Sequence, residues 1–247
     1  MRFRFAISLS LMLASPAAAL ELDAMSDDER AAFRAEVRAY LLENPEVLQE
    51  AIEVLQARGA AAQAGNDIAL ARANADALFD DGFSFVGGNP DGDITVVEFM
   101  DYRCGFCKRA FPEVKSLVSG DPNIRYVIKE FPILGEQSVL ASRFAIATQL
   151  VAGDQAYEDV HNTLMEYRGD ISTQSLARLG DALALDVDAI TAQMDSDEVN
   201  AIIASNRELA QRLQISGTPT FVFEDQMVRG YVELAQMEEL VAQLRAE

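Results

Sequence analysis

From about residue 20 to residue 80 the apolar positions recur every three or four residues, the spacing of one face of a helix. Phe33, Val37, Tyr40 and Leu41 form one such face, and Val47, Leu48, Ala51, Ile52 and Leu55 form a second. Both starts are marked. Ser26-Asp27-Asp28-Glu29 has the form of a capping box, with Ser26 as N-cap and Glu29 three residues on. Asn44-Pro45 sets an N-cap before a proline at the first helical position. Gly59 reads as the stop of the second helix. An alanine-rich third segment follows from about Ala60 to Phe79, with Ile68, Leu70, Leu78 and Phe79 as its large apolar residues. Three helices with such thin apolar faces bury little by themselves. They either dock on the domain that follows or pair with copies of themselves. The alanine-rich spacer behind the first two favours self-association.

Past residue 80 the pattern changes. Residues 82–92 are rich in turn formers, with Phe83-Ser84-Phe85 as a short edge strand among them. Ile94 to Met100 is an unbroken apolar run apart from Thr95 and Glu98, the mark of a strand covered on both sides. Cys104 opens a helical pattern in which Pro112 predicts a kink. Asp121-Pro122 turns the chain into a second strand, Ile124 to Lys129, and Phe131 to Gly135 is a loop. From about Ser138 to Leu213 the period is helical again, in segments led by Val139, Phe144, Ile146 and Ala147, then Tyr157–Tyr167, Thr173–Leu183 and Glu198–Leu213. Ile215 to Phe223 is a loop entering a strand, Met227 to Tyr231 pairs with it as a hairpin, and Leu234 to Leu244 is a closing helix. With the helical block removed, what remains is β-α-β followed by β-β-α. The expected class is therefore α/β: a thioredoxin fold with a helical domain inserted at about 137–213. The main domain occupies 82–247, preceded by an α-helical N-terminal extension over 20–81.

The first nineteen residues change where such a protein would work. Arg2 and Arg4, the apolar run from Phe5 to Ala14, and the small residues Ser15-Pro16-Ala17-Ala18-Ala19 have the form of a secretory signal peptide ending at Ala19. The run is too short for an anchor. Export predicts an oxidising compartment, the periplasm, where a disulfide persists. The chain carries 20 Lys+Arg against 40 Asp+Glu, a net charge of −20. Eighteen of those cations and all the carboxylates follow Ala19, so the remainder stands at −22. So acidic a surface excludes nucleic acid as a partner.

The only two cysteines, Cys104 and Cys107, stand three apart between the buried strand and its helix. C-x-x-C also occurs in zinc sites, but a structural zinc needs four ligands. Here the two thiols have one distant histidine, His161, which reads as a packing or surface residue. A structural disulfide closing so short a loop would stabilise little. A dithiol redox site needing no metal or cofactor is the stronger reading. The helix start favours a thiolate at Cys104, through its free backbone N–H groups and its dipole. Cys107, a turn further in, is the shielded partner that resolves a mixed disulfide. Gly105 and Phe106 between them tune the couple and face the substrate. Glu98, six residues before Cys104, is a carboxylate in an apolar strand, costly unless paired or used. It either leaves at the sheet edge or sits under the disulfide and relays a proton to or from Cys107. Arg125 and Lys129, two-residue periodic on the next strand, are its candidate partners. Lys108 and Arg109 read as mostly solvated. Thr218-Pro219, after Gly217 and before a strand, suits a cis turn whose Thr218 backbone pairs with an extended client.

These pieces resemble the DsbA-like branch of the thioredoxin superfamily. The resemblance is carried by Glu98-Phe99, Cys104-Gly105-Phe106-Cys107-Lys108, the helical insertion and Gly217-Thr218-Pro219-Thr220-Phe221, over roughly residues 83–247. Through Tyr40-Leu41-Leu42-Glu43-Asn44-Pro45-Glu46-Val47-Leu48 the chain is also similar to the suppressor-of-copper-sensitivity protein C group. The resemblance implies Cys104 as nucleophile, Cys107 as resolving thiol and Pro219 as cis. It also implies an extension that makes oligomers acting as a disulfide isomerase. The departures bear on direction. Gly105-Phe106 stands where the strongest oxidases have Pro-His. Thr218 is the residue found in the isomerases DsbC and DsbG, where DsbA oxidases have valine. Arg103 replaces the tryptophan of thioredoxin itself. The expected protein exchanges disulfides with cysteine-bearing clients as an isomerase or reductase, as a homo-oligomer through residues 20–80, and is kept reduced by a membrane partner. The rivals are a monomeric dithiol oxidase and, in another class, a Cu(I)-binding or holding chaperone without turnover.

Overall fold

The computed structural model describes residues 25–246, so the expected signal peptide lies outside the described residues. The chain divides into two compact units between Arg58 and Gly59. The first contains α1 (Asp27–Glu43) and the beginning of α2 (Glu46–Ala73). Ser26 caps α1 as the sequence predicts: its hydroxyl accepts from the Glu29 N–H, and the Glu29 carboxylate accepts from the Ser26 N–H at 2.9 Å. α1 has no buried residue, and Phe33, Val37, Tyr40, Leu42, Leu48, Ile52 and Leu55 are exposed. Gly59 does not stop α2. A glycine in a helix interior costs about 1 kcal/mol against alanine, and the alanines after it carry the helix on to Ala73.

In the second unit, α3 (Ala75–Phe79) is followed by β1 (Phe85–Gly88) and β2 (Ile94–Met100). α4 (Gly105–Gly120) then leads to β3 (Ile124–Glu130). Five helices separate β3 from β4: α5 (Glu136–Ala152), α6 (Asp154–Glu166), α7 (Thr173–Ala182), α8 (Val187–Gln193) and α9 (Asp197–Arg212). The chain closes with β4 (Thr220–Phe223), β5 (Gln226–Arg229) and α10 (Leu234–Leu244). The sheet order is β1-β3-β2-β4-β5. β2 and β3 are parallel, and the other pairs are antiparallel. This is the expected α/β thioredoxin-type layout with helices inserted before β4. Two local differences have simple causes. Phe83 and Ser84 are not strand, because the Asp81 carboxylate accepts from both their N–H groups and folds them into a turn. α8 has only Ile190 buried, too little periodicity to read from sequence.

Strand alternation divides the core. Val96, Met100, Tyr126, Ile128, Phe221 and Phe223 face the larger cluster, with Val114 and Leu117 of α4 and Phe144, Val160 and Leu164 of the inserted helices. Val97, Phe99, Val127 and Val222 face the other way, against Leu78, Leu209 and Leu213. On that second face the fully buried Lys129 donates to the Ala77 carbonyl at 2.8 Å and the Asp81 carboxylate at 2.5 Å. The late turns of α2 are tied to β5 through Asp67 and Arg229, and to the β4–β5 turn through Arg72 and Asp225 at 2.6 Å.

Candidate active site

β2 ends at Met100, and the next residue shapes the approach to the cysteines. Asp101 is fully buried. Its carboxylate accepts from the N–H groups of Arg103 at 2.7 Å, Ile133 at 2.8 Å and Leu134 at 3.0 Å. Its carbonyl accepts from the Cys104 N–H at 3.0 Å. One side chain thus binds the turn before the first cysteine to the loop after β3. Sequence reasoning passed over Asp101, although an acidic residue ending an apolar strand was a signal.

Cys104 is the N-cap of α4, with extended backbone (φ −73°, ψ 115°), and its sulfur accepts from the Cys107 N–H at 3.3 Å. Both cysteines are free thiols. Cys104 keeps 5% of its surface exposed, and Cys107 none. The Cys107 thiol, and then the N–H groups of Cys107 and Phe106, stabilise a Cys104 thiolate against burial and bring its pKa from 9.0 down to about 6. Cys107 moves the opposite way, well above the thiol range, through burial, its hydrogen bond to Cys104 and the Glu98 charge. Gly105 and Phe106 are exposed, Phe106 by 60%.

Glu98 is buried, so it does not leave at the sheet edge. Burial raises its pKa from 4.5 to about 7, against the lowering effect of a hydrogen bond from the Tyr126 hydroxyl and with a further rise from the Cys104 charge. Its other oxygen, Oε1, has no partner. The expected partners were the wrong ones. Glu98 stands opposite Ile128, so it shares a face with Tyr126 and Glu130, while Arg125 and Lys129 point to the far side. Arg125 donates to the Phe79 carbonyl at 2.7 Å, and Lys129 is held by Asp81.

The Thr218–Pro219 peptide is cis, and the Cys104 thiol donates to the Thr218 carbonyl at 3.1 Å. Cys104 and Thr218–Pro219, distant in sequence, therefore meet, with Cys107 hydrogen-bonded to Cys104, Gly105 and Phe106 on the surface beside them, and Glu98 near enough for its charge to bear on both thiols. Lys108 and Arg109 are not merely solvated. The Lys108 ammonium donates to the Leu164 carbonyl at 3.2 Å and to that of Tyr167, at the end of α6. The Arg109 guanidinium lies 4.2 Å over the Tyr231 ring. His161 is a packing residue, as expected. It is buried, stacks on Tyr157 and faces the Tyr102 hydroxyl at 3.1 Å, and burial lowers its pKa to about 3.

A second buried carboxylate escaped sequence reasoning. Glu130, at the end of β3, accepts from the hydroxyls of Tyr102 and Tyr157 at 2.7 Å each and of Ser142 at 2.6 Å. Its pKa too is raised by burial to about 7, against those hydrogen bonds. It joins the turn before Cys104 to α5 and α6. Among the described residues, no three His, Cys, Asp or Glu side chains converge on a point that would hold a metal ion.

The DSBA-like thioredoxin domain family matches residues 95–242, well over half of the chain. The chain belongs to the DsbA-like thioredoxin family. The copper resistance protein ScsC N-terminal domain family matches residues 29–62, within α1 and α2. Among solved DsbA-like structures, a thioredoxin-like oxidoreductase from Silicibacter pomeroyi is 43% identical, with a TM-score of 0.66, over 70% of this chain and 98% of that one. Proteus mirabilis ScsC in a compact conformation is 29% identical, with a TM-score of 0.66, over 87% of this chain and 98% of that one. A Na(+)/H(+) antiporter NhaA 1 from Salinispora arenicola is 31% identical over 137 residues. These residues are 55% of this chain and 21% of the antiporter, so the chain spans about a fifth of the length of the curated relatives it first matches.

Proposed function

We propose that the chain is a thiol–disulfide oxidoreductase that exchanges disulfides with protein clients through Cys104 and Cys107, working as an isomerase or reductase. The observation that carries the exchange chemistry is the unequal placing of the two thiols: Cys104 caps α4 with its sulfur on the Cys107 N–H, while Cys107 is fully buried behind it, which lowers the pKa of the first to about 6 and raises that of the second. At neutral pH one sulfur is a thiolate ready to attack and the other holds its proton in reserve. The Cys104 thiolate attacks one sulfur of a client disulfide, forming a mixed disulfide and releasing the other client sulfur as a thiolate. In the isomerase direction, another client thiolate attacks the client sulfur of that bond and returns Cys104 as a thiolate, with no net oxidation. In the reductase direction, Cys107 loses its proton to Glu98 and attacks Cys104. The second client thiolate leaves, and the client disulfide has become two thiols at the cost of the Cys104–Cys107 dithiol. A membrane partner then supplies two electrons to restore it. The Thr218 backbone, beside Pro219, serves as the docking edge for the client, with Gly105 and Phe106 flanking the sulfur.

The exposed apolar residues of α1 and α2 support association of copies through residues 20–80, so that several sites face one client. In this reading 20–81 is the extension, 82–247 the redox domain and about 137–213 its insertion, and the protein acts in the periplasm after loss of residues 1–19. No helix among the described residues is long and apolar enough to cross a membrane. A stabilised Cys104 thiolate is also a good leaving group from its own disulfide, which favours the dithiol oxidase as the second reading.

Refolding of a scrambled disulfide substrate decides between them. The isomerase outpaces its own oxidation of a reduced substrate, and deleting residues 20–80 abolishes that preference together with the oligomer. A monomer that oxidises faster than it unscrambles sinks the first reading. Cys104→Ala should abolish disulfide exchange; if the only activity found is suppression of client aggregation, unchanged in that variant, both readings fail and a holding chaperone remains.

A further inference from the structure

Charges near the start of α4 are arranged unusually for so acidic a chain. Six of the fourteen cations in residues 59–247 are matched: Arg72, Arg125, Lys129, Arg143, Arg229 and Arg245 each form an ion pair. Of the eight that form none among the described residues, Arg103, Lys108, Arg109 and Arg168 lie together. Arg103 Nη1 donates to the Gly169 carbonyl at 3.1 Å, next to Arg168. Arg168 and Arg103 both add to burial in lowering the Lys108 pKa, so the three cations feel one another. In a chain with twice as many carboxylates as cations, four neighbouring cations outside any ion pair leave a local excess of positive charge that favours an anion from outside.

The cluster has a shaped space beside it. Lys108, Arg109 and Arg168 line a cavity of about 780 Å³, with apolar walls from Pro112 and Leu234. Two carboxylates reach it as well, Glu113 and Glu233. Glu113 is occupied by the Tyr231 hydroxyl at 3.2 Å, in the ring over which Arg109 lies. Gly105, which follows Cys104 directly, lines the same cavity. One wall of it is tied to the cis-proline turn through the backbone. The Gly230 N–H donates to the Pro219 carbonyl at 2.9 Å, and the next residue, Tyr231, is part of the cavity wall.

We infer that this cavity receives the carboxylate side chains of a client segment flanking the cysteine that reacts at Cys104. The inference rests on the exchange reaction proposed above. A peptide suits the space better than a free anion, because the wall combines three cations with the apolar Pro112 and Leu234 and the volume accommodates several side chains. The acidic body repels an acidic segment everywhere else, so the cluster also fixes which side of the cysteine the acidic flank occupies.

The test uses two disulfide-bonded peptides that differ only in having glutamates or glutamines beside the cysteine. Reduction by the full-length dithiol protein is expected to be about tenfold faster for the glutamate peptide at low salt, with the gap closing at high salt. In Arg109→Gln/Arg168→Gln the gap disappears while the glutamine peptide keeps its rate, a result that also reports an intact fold. Equal rates for the two peptides, or a gap that survives in the double variant, overturn the inference. If neither peptide is reduced, the exchange proposal fails first. Fluorescence anisotropy of labelled peptides with serine in place of cysteine then judges the docking alone: tighter, salt-sensitive binding of the glutamate form supports it, and equal binding ends it.

Discussion

Glu98 and Glu130 stand on one face of the sheet, on neighbouring strands, and burial brings both to a pKa of about 7. Their surroundings differ. Glu130 accepts three hydroxyl hydrogen bonds and ties together a turn, a strand end and two helices. Glu98 has one hydroxyl on one oxygen and nothing on the other. Burial fixes the proton affinity of each, but the hydrogen bonds fix what each can do. A carboxylate with its oxygens engaged is a strut, and gaining or losing a proton disturbs its neighbours. A carboxylate with a free oxygen, as Glu98 has, could gain a proton there without breaking a hydrogen bond, which is what the proposed relay to Cys107 requires.

The comparison breaks most readily at stability. Glu130→Ala leaves three buried hydroxyls without their acceptor and should cost about 4 kcal/mol in urea unfolding. Glu98→Ala strands one and should cost about 1 kcal/mol. Equal losses would mean that Glu98 is also structural. The next effect concerns pH and should be shared. Each folded pKa lies above the unfolded value, so between about 4.5 and about 7 the native state holds a proton that the unfolded chain has lost. Stability therefore falls as pH rises through that window, by roughly 3 kcal/mol per group. The unfolding free energy of Glu98→Gln and of Glu130→Gln, measured across that window, should each fall with pH by about this amount less than the parent's.

Kinetics should then separate the two again. Glu98→Gln is expected to slow resolution of a mixed disulfide by Cys107 about tenfold in stopped-flow experiments. Glu130→Gln should leave that rate within a factor of about two, since its carboxylate contacts hydroxyls and not the sulfurs. The smallest effect is that of Tyr126→Phe. It removes the one bond that holds the Glu98 pKa down, at about 1 kcal/mol of stability. The pH at which resolution becomes fast should move upward. A downward move would show that the hydroxyl does not act on the carboxylate.

These two acids also mark how far sequence carries. Glu98 was legible because β2 is covered on both faces, and one charged residue in such a run stands out. Its partner was not legible, since the choice among Arg125, Tyr126 and Lys129 depends on strand register, and register is a tertiary fact. Glu130 belongs to a network drawn from residues 102, 142 and 157, with no local pattern to connect them. The cysteine pair and the proline turn were legible as separate motifs, and only the fold brings the Thr218 carbonyl to the Cys104 sulfur. The continuation of α2 through Gly59 was missed because a single glycine is outweighed by the alanines around it.

Cys104 is both the proposed nucleophile and the residue that caps α4. A disulfide sulfur is neutral and accepts poorly, so the helix holds its cap bond mainly while the couple is reduced. Folding and electron uptake thereby close a thermodynamic cycle. Whatever the cap adds to the dithiol form, about 1 kcal/mol for a good cap, it also adds to the affinity of the disulfide for electrons, roughly 20 mV in a two-electron couple. The first turn of a helix is, in this molecule, part of the electrode.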